Sequence, residues 1–247
     1  SGKIECLILL GADPLSDVPD ADLARRGISG ARNIIAIDTF ITQSSALADI
    51  VLPAAAYGEK EGTTTNLEGR ISNVAQSITP VGTARPDWMI AVELGTATSH
   101  DLGFASYNEV HTAMISRVGE FAPAVDTHAV EHDGVIVAHP APITLARADA
   151  ASNERNSYDY RAVVSRKLYD NAIGTAKSPS LATLATSAAV IVNPLDVPRI
   201  GAQVGESVRV TSQRATLVLS LQESVDVLRG TAWLPINLSG SDARELL

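Results

Sequence analysis

The chain has 247 residues, enough for one large or two modest domains. Hydrophobic residues make up 45% and aromatics only 4%, so a core is available, it is aliphatic, and wholesale disorder is excluded. A formal net charge of −9 excludes a general nucleic-acid surface, which needs clustered Lys and Arg, and no apolar run reaches the roughly 18–20 residues of a membrane span.

Cys6 is the one cysteine, so this stretch makes no internal disulfide and cannot ligate an iron–sulfur cluster by itself. The first residues, Ser-Gly-Lys, have no initiator Met, signal or transit sequence ahead of them, so a segment of a longer chain is expected. Cys6–Leu10 is a continuous apolar run ending at Gly11-Ala12-Asp13-Pro14, which predicts a buried parallel strand with Cys6 inside. Asp20–Arg26 predicts a short helix broken by Gly27 and Gly30. Asn33–Ile37 and Asp49–Pro53 predict two further strands, with a helical turn over Thr42–Ala48 between them. Strands alternating with helices predict a parallel sheet whose strand ends, at Gly11, Asp38 and Pro53, share one ligand-facing edge.

The polar, glycine-containing segment Glu59–Arg70 predicts an ordered loop. Asp87 is placed to cap a helix over Trp88–Thr96, and Ser106-Tyr-Asn-Glu109 matches a capping box before a helix reaching Val118. From residue 122 to 157 the pattern dissolves into Ala, Pro, His and Asp, with one strand-like run at Gly134–Ala138, which predicts a linker between domains 1–121 and 158–247. Beyond it, Tyr160–Ser165, Ala188–Val192, Ser207–Ser212, Thr216–Leu221 and Ala232–Ile236 are short strand-like runs that predict a closed barrel. Asn193–Ile200 predicts a single helical turn.

Several of these residues carry a family resemblance. Leu9–Pro14 resembles the Gly-x-Asn-Pro turn of molybdopterin oxidoreductases, and Thr39–Thr42 with Ala48–Pro53 resembles their Ala-Asp-Val-Val-Leu-Pro segment. Glu59, Glu61-Gly62-Thr63, Asn66 and Glu68-Gly69-Arg70 resemble the Glu-Gly-Thr-x-x-Asn-x-Glu-Gly-Arg signature, and Gly82 through Trp88 follows it. Asn193-Pro194-x-Asp196, Gly205-Glu206 and the Gly230, Pro235, Asn237 set resemble the last domain of that family. The fold implied is a Rossmann-like α/β layer followed by a double-psi β-barrel that binds a molybdopterin dinucleotide in cofactor-bearing members. Ser165–Asn171, Gly174-Thr175 and Ser178–Leu181 resemble the branch formed by the G subunits of NADH-quinone oxidoreductase, respiratory complex I. Cofactor-binding relatives such as formate dehydrogenase usually carry His and Trp where Asn171, Ala172 and Ile173 stand here.

That resemblance implies a scaffold with a vestigial cofactor cleft, at Gly11, Asp13, Asp38, Glu61, Gly62, Arg166, Gly174, Thr175 and Asn237. It implies no catalytic residue and no metal in this stretch, with iron–sulfur clusters in an N-terminal part. Its implied partners are the other subunits of the peripheral arm on the cytoplasmic face of the membrane, with no nucleic acid and no membrane insertion. The alternative implication is the C-terminal half of a formate-dehydrogenase-type enzyme holding molybdopterin guanine dinucleotide.

Other candidates weigh toward structure. Glu59, Glu61, Glu68 and Arg70 lack a nearby nucleophile, so a hydrogen-bond network pinning the loop is favoured over paired catalytic carboxylates. His128, His132 and Asp133 have a zinc-compatible spacing only on a helix, and their segment shows no helical pattern. His100, His111 and His139 are isolated, and Trp88 and Trp233 are expected as core anchors. There is no Gly-x-Ser-x-Gly elbow and no Walker-type phosphate loop.

Overall fold

The computed structural model describes residues 3–118, 134–136, 156, 159–240 and 242–247. The linker expectation, His128, His132, Asp133 and His139 lie mostly or wholly outside these residues.

The first sheet is built as its apolar pattern predicts. Strands β1 (Ile4–Leu10), β2 (Ala31–Asp38) and β3 (Ile50–Pro53) run parallel in the order β1-β2-β3. Helix α1 (Pro14–Asp17) follows β1, and α2 (Ala21–Ser29) leads into β2. Asp20 caps α2, its carboxylate accepting from the Leu23 amide at 2.9 Å. Gly27 does not break α2, contrary to expectation. Ala21, Ala24 and Ile28 recur on one buried face, and Ile28 packs on the sheet with Leu9, Ile34 and Ala36. That burial outweighs the cost of about 1 kcal/mol for a mid-helix glycine.

A second expectation needs correcting at Cys6, which is exposed. The run Cys6–Leu10 predicts burial on both faces, but among the described residues β1 pairs on one side and is covered on one face only: Leu7 and Leu9 turn inward, while Ile8 and Leu10 alternate outward.

Glu59–Arg70 is not a loop throughout. It enters a hairpin of β4 (Gly62–Thr65) and β5 (Arg70–Val74), and β6 (Val135–Ile136) joins β5 on its other side. The turn is pinned by Asn66, whose side-chain oxygen accepts from the Glu68 and Arg70 amides at 2.9 Å each. A run of three threonines favours the extended chain that the polar composition obscures.

Helix α3 (Asp87–Ala97) begins one residue early. Asp87 is therefore helical and no cap; its carboxylate instead meets Lys60. At α4 (Tyr107–Val118) the expected capping pair forms in shifted form: the Ser106 hydroxyl accepts from the Glu109 amide at 3.3 Å, and the Glu109 carboxylate reaches one residue further back, accepting from the Ala105 amide at 2.6 Å.

All five C-terminal strand expectations fall on strands: β7 (Arg161–Arg166), β8 (Ala189–Val192), β9 (Ser207–Thr211), β10 (Thr216–Glu223) and β11 (Thr231–Ile236). Helix α5 (Ile173–Ala176) lies between β7 and β8. A 3-10 turn at Pro194–Asp196 and helix α6 (Val197–Ile200) lie between β8 and β9. The sheet is mixed, in the order β7-β11-β8-β10-β9. Among the described residues it does not close into a barrel, because β7 and β9 each pair on one side only. Its core is aliphatic: Val190, Val192, Leu219, Leu221 and Leu234 are buried together. No helix of the described residues is long and apolar enough to cross a membrane.

Candidate functional site

The parallel register brings the ends of β1, β2 and β3 to one edge. At that edge the Gly11 amide donates to the Ile37 carbonyl at 2.9 Å. Gly11 has φ +55 with open space around it, so backbone conformation, not crowding, calls for glycine. The next polar group is Asp13. Its Oδ1 accepts from the Ser44 amide at 3.0 Å and the Ser44 hydroxyl at 2.5 Å, and its Oδ2 accepts from the Ser16 hydroxyl at 2.6 Å. Ser44 is fully buried and its Oγ accepts from the Leu15 amide. Both Asp13 oxygens are thus engaged in holding the turn. Asp38, half-buried, accepts from the Phe40 amide at 3.3 Å.

The second half of the site comes from the C-terminal sheet. Arg166 ends β7 and Asp170 follows four residues later. Arg166 Nε donates to Asp170 at 2.7 Å and Nη2 at 3.3 Å. The Asp170 side chain is only 3% exposed and also accepts from the Ala172 amide at 2.8 Å. Burial pushes the Asp170 pKa up, but the Arg166 bond, the Ala172 amide and the guanidinium charge outweigh it and hold the carboxyl below its ordinary value. The same bond to Asp170 keeps Arg166 firmly charged.

Asn237 follows β11 in the left-handed region, φ +57, and its carbonyl accepts from the Asn171 amide at 2.8 Å. With its amide oxygen turned to the donors, it accepts from Ala172 N at 3.0 Å and Arg166 Nη2 at 3.1 Å. Gly174 and Thr175 sit in α5, directly after this knot, and the Thr175 amide returns to the Ala172 carbonyl.

Arg166 also reaches across to Asp17 on α1, at 3.1 Å. Two more arginines make the same crossing. Arg214 Nη1 donates to Asp20 at 2.8 Å. Arg244, 5% exposed, pairs with Asp242 and donates to the Leu15 carbonyl at 2.5 Å and the Val18 carbonyl at 3.3 Å. The segment Asp13–Asp20 is therefore clamped from the C-terminal sheet by three guanidinium groups.

The structure accordingly gathers Gly11, Asp13 and Asp38 at one edge, and Arg166, Asn237, Gly174 and Thr175 at another. Asp17 joins them. Glu61 and Gly62 stand apart on the β4 hairpin, where the Glu61 charge adds to burial in pushing the Tyr107 hydroxyl up. Glu59 is buried and accepts from the Ala56 amide at 2.8 Å, and Glu68 lies 3.8 Å from Arg70, so these groups serve their own turns.

Sequence reasoning missed the clamp. Asp170 was visible only as part of a family motif, and Asp17, Asp20, Arg214 and Arg244 look like ordinary surface charges until the chain folds. Trp233 is a half-buried platform, not a core anchor: its indole donates to the Ser165 hydroxyl at 2.8 Å and Lys167 lies over its ring. A shallow depression joins it to Arg166, Tyr169 and Leu184. A cavity of about 620 Å³ opens inside the five-stranded sheet between Tyr160, Val190, Val210 and Leu234, and none of the expected site residues lines it. Among the described residues, no group of three His, Cys, Asp or Glu is placed to hold a metal ion.

Comparison with known proteins agrees with this architecture. The family model "Molybdopterin oxidoreductase" matches residues 1–97. The alpha subunit of an NADPH-Fe(3+) oxidoreductase from Geobacter sulfurreducens is 25% identical over 100% of this chain and 29% of its own length. The alpha subunit of F420-dependent formate dehydrogenase 2 from Methanococcus maripaludis is 25% identical over 94% of this chain and 38% of its own. The G 2 subunit of NADH-quinone oxidoreductase from Rhizobium meliloti is 26% identical over 96% of this chain and 28% of its own. The solved structure of acetylene hydratase from Pelobacter acetylenicus shares the fold, with TM-score 0.67 and 16% identity over 94% of this chain and 37% of that one. The chain thus spans well under half the length of these relatives. Over residues 1–97 the chain thus resembles the molybdopterin oxidoreductase family model, and over nearly all of its length it is similar to these longer oxidoreductase subunits.

Proposed function

We propose that this chain is a scaffold segment of the G subunit of an NADH:quinone oxidoreductase, and that redox chemistry takes place on iron–sulfur clusters elsewhere in that complex. The observation that carries this reading is the clamp. The polar side chains that could grip a dinucleotide are spent on one another: Asp13 on Ser44 and Ser16, Arg166 on Asp17 and Asp170, Asn237 on Ala172 and Arg166.

Charge supports the same reading. A pterin dinucleotide carries a diphosphate and needs cations or free amide donors. The three guanidinium groups there are already paired, Arg166 with Asp17 and Asp170, Arg214 with Asp20 and Arg244 with Asp242, while Asp13 and Asp38 add negative charge at the sheet edge. This donor set does not fit an anionic dinucleotide. What these residues do is hold two sheets in fixed register, which is what a subunit bracing a chain of electron carriers requires. In this proposal the segment sits in the peripheral arm, on the cytoplasmic face of the membrane, against other subunits.

A second reading, a formate-dehydrogenase-type enzyme with molybdopterin guanine dinucleotide, draws on the relative of that name matching 94% of the chain. Metal and pterin analysis of the full-length protein separates the two. The scaffold reading expects neither molybdenum nor tungsten nor pterin at stoichiometric level. A stoichiometric yield of either metal with pterin overturns it in favour of the enzyme.

A further inference from the structure

We draw no further inference here: the strongest candidate, the aliphatic cavity inside the five-stranded sheet beside Tyr160, is lined by residues of β7 and β9, each paired on one side only, and nothing among the described residues shows what covers it.

Discussion

Replacing Asp170 by alanine tests the clamp at its centre. The wild-type carboxylate is 3% exposed and accepts from Arg166 Nε at 2.7 Å and from the Ala172 amide at 2.8 Å. A charge-assisted bond of this kind contributes about 1.5–3 kcal/mol. Arg166 is 40% exposed, so water and Asp17 recover part of its interaction, and the lower end of that range applies. The Ala172 amide loses its Asp170 partner, at a further cost of about 1 kcal/mol. The sum is about 2–3 kcal/mol, or a fall in melting temperature of about 5–10 °C for a chain of this size. Urea denaturation followed by circular dichroism measures it. Asp17→Asn is the control, because that pair is exposed on both sides and is worth less than about 1 kcal/mol. The pH dependence carries its own sign. The Asp170 pKa is depressed in the folded state, so its contribution is present above the ordinary value of 3.8 and is lost as pH falls through the lower, folded value. The gap between wild type and D170A therefore closes in strong acid. A D170A variant as stable as D17N at pH 7, or a gap that widens in acid, refutes the account of the clamp.

Two further substitutions probe other joints. Arg244→Met removes a buried guanidinium that holds the Leu15 and Val18 carbonyls, and is expected to cost about 3 kcal/mol, with faster amide exchange in Asp13–Asp20 as the local signature. Exchange unchanged in that segment contradicts the crossing role. Gly134→Ala places a Cβ 2.4 Å from the Ile71 carbonyl oxygen at φ +72, so it should strip β6 from β5 and speed exchange at Ile71, while leaving the Asn66-held Arg70 amide and the five-stranded sheet unchanged.

Period and punctuation made most of the fold legible in the sequence. The parallel β1-β2-β3 sheet and the five C-terminal strands follow from short aliphatic runs ended by Gly, Pro and Asp, because those signals are local. The capping pair at α4 was legible for the same reason. Misreadings arose where distant chain decides. Gly27 stays helical because Ile28, one residue on, is buried against β2, and Cys6 is exposed because nothing described covers that side of β1. The hairpin at Asn66 depended on a side-chain bond to two amides that composition does not announce.

The candidate site divides along the same line. Gly11, Asp13 and Asp38 could be named because strand ends in a parallel sheet share an edge, a consequence of chain direction alone. Their occupation could not. Asp13 is committed to Ser44, 31 residues away, and Arg166 to Asp17, 149 residues away. A carboxylate free to hold a ligand and one tied to a neighbour have the same letter in a sequence. Only the tertiary structure, by setting their oxygens within hydrogen-bond reach of particular donors, tells them apart.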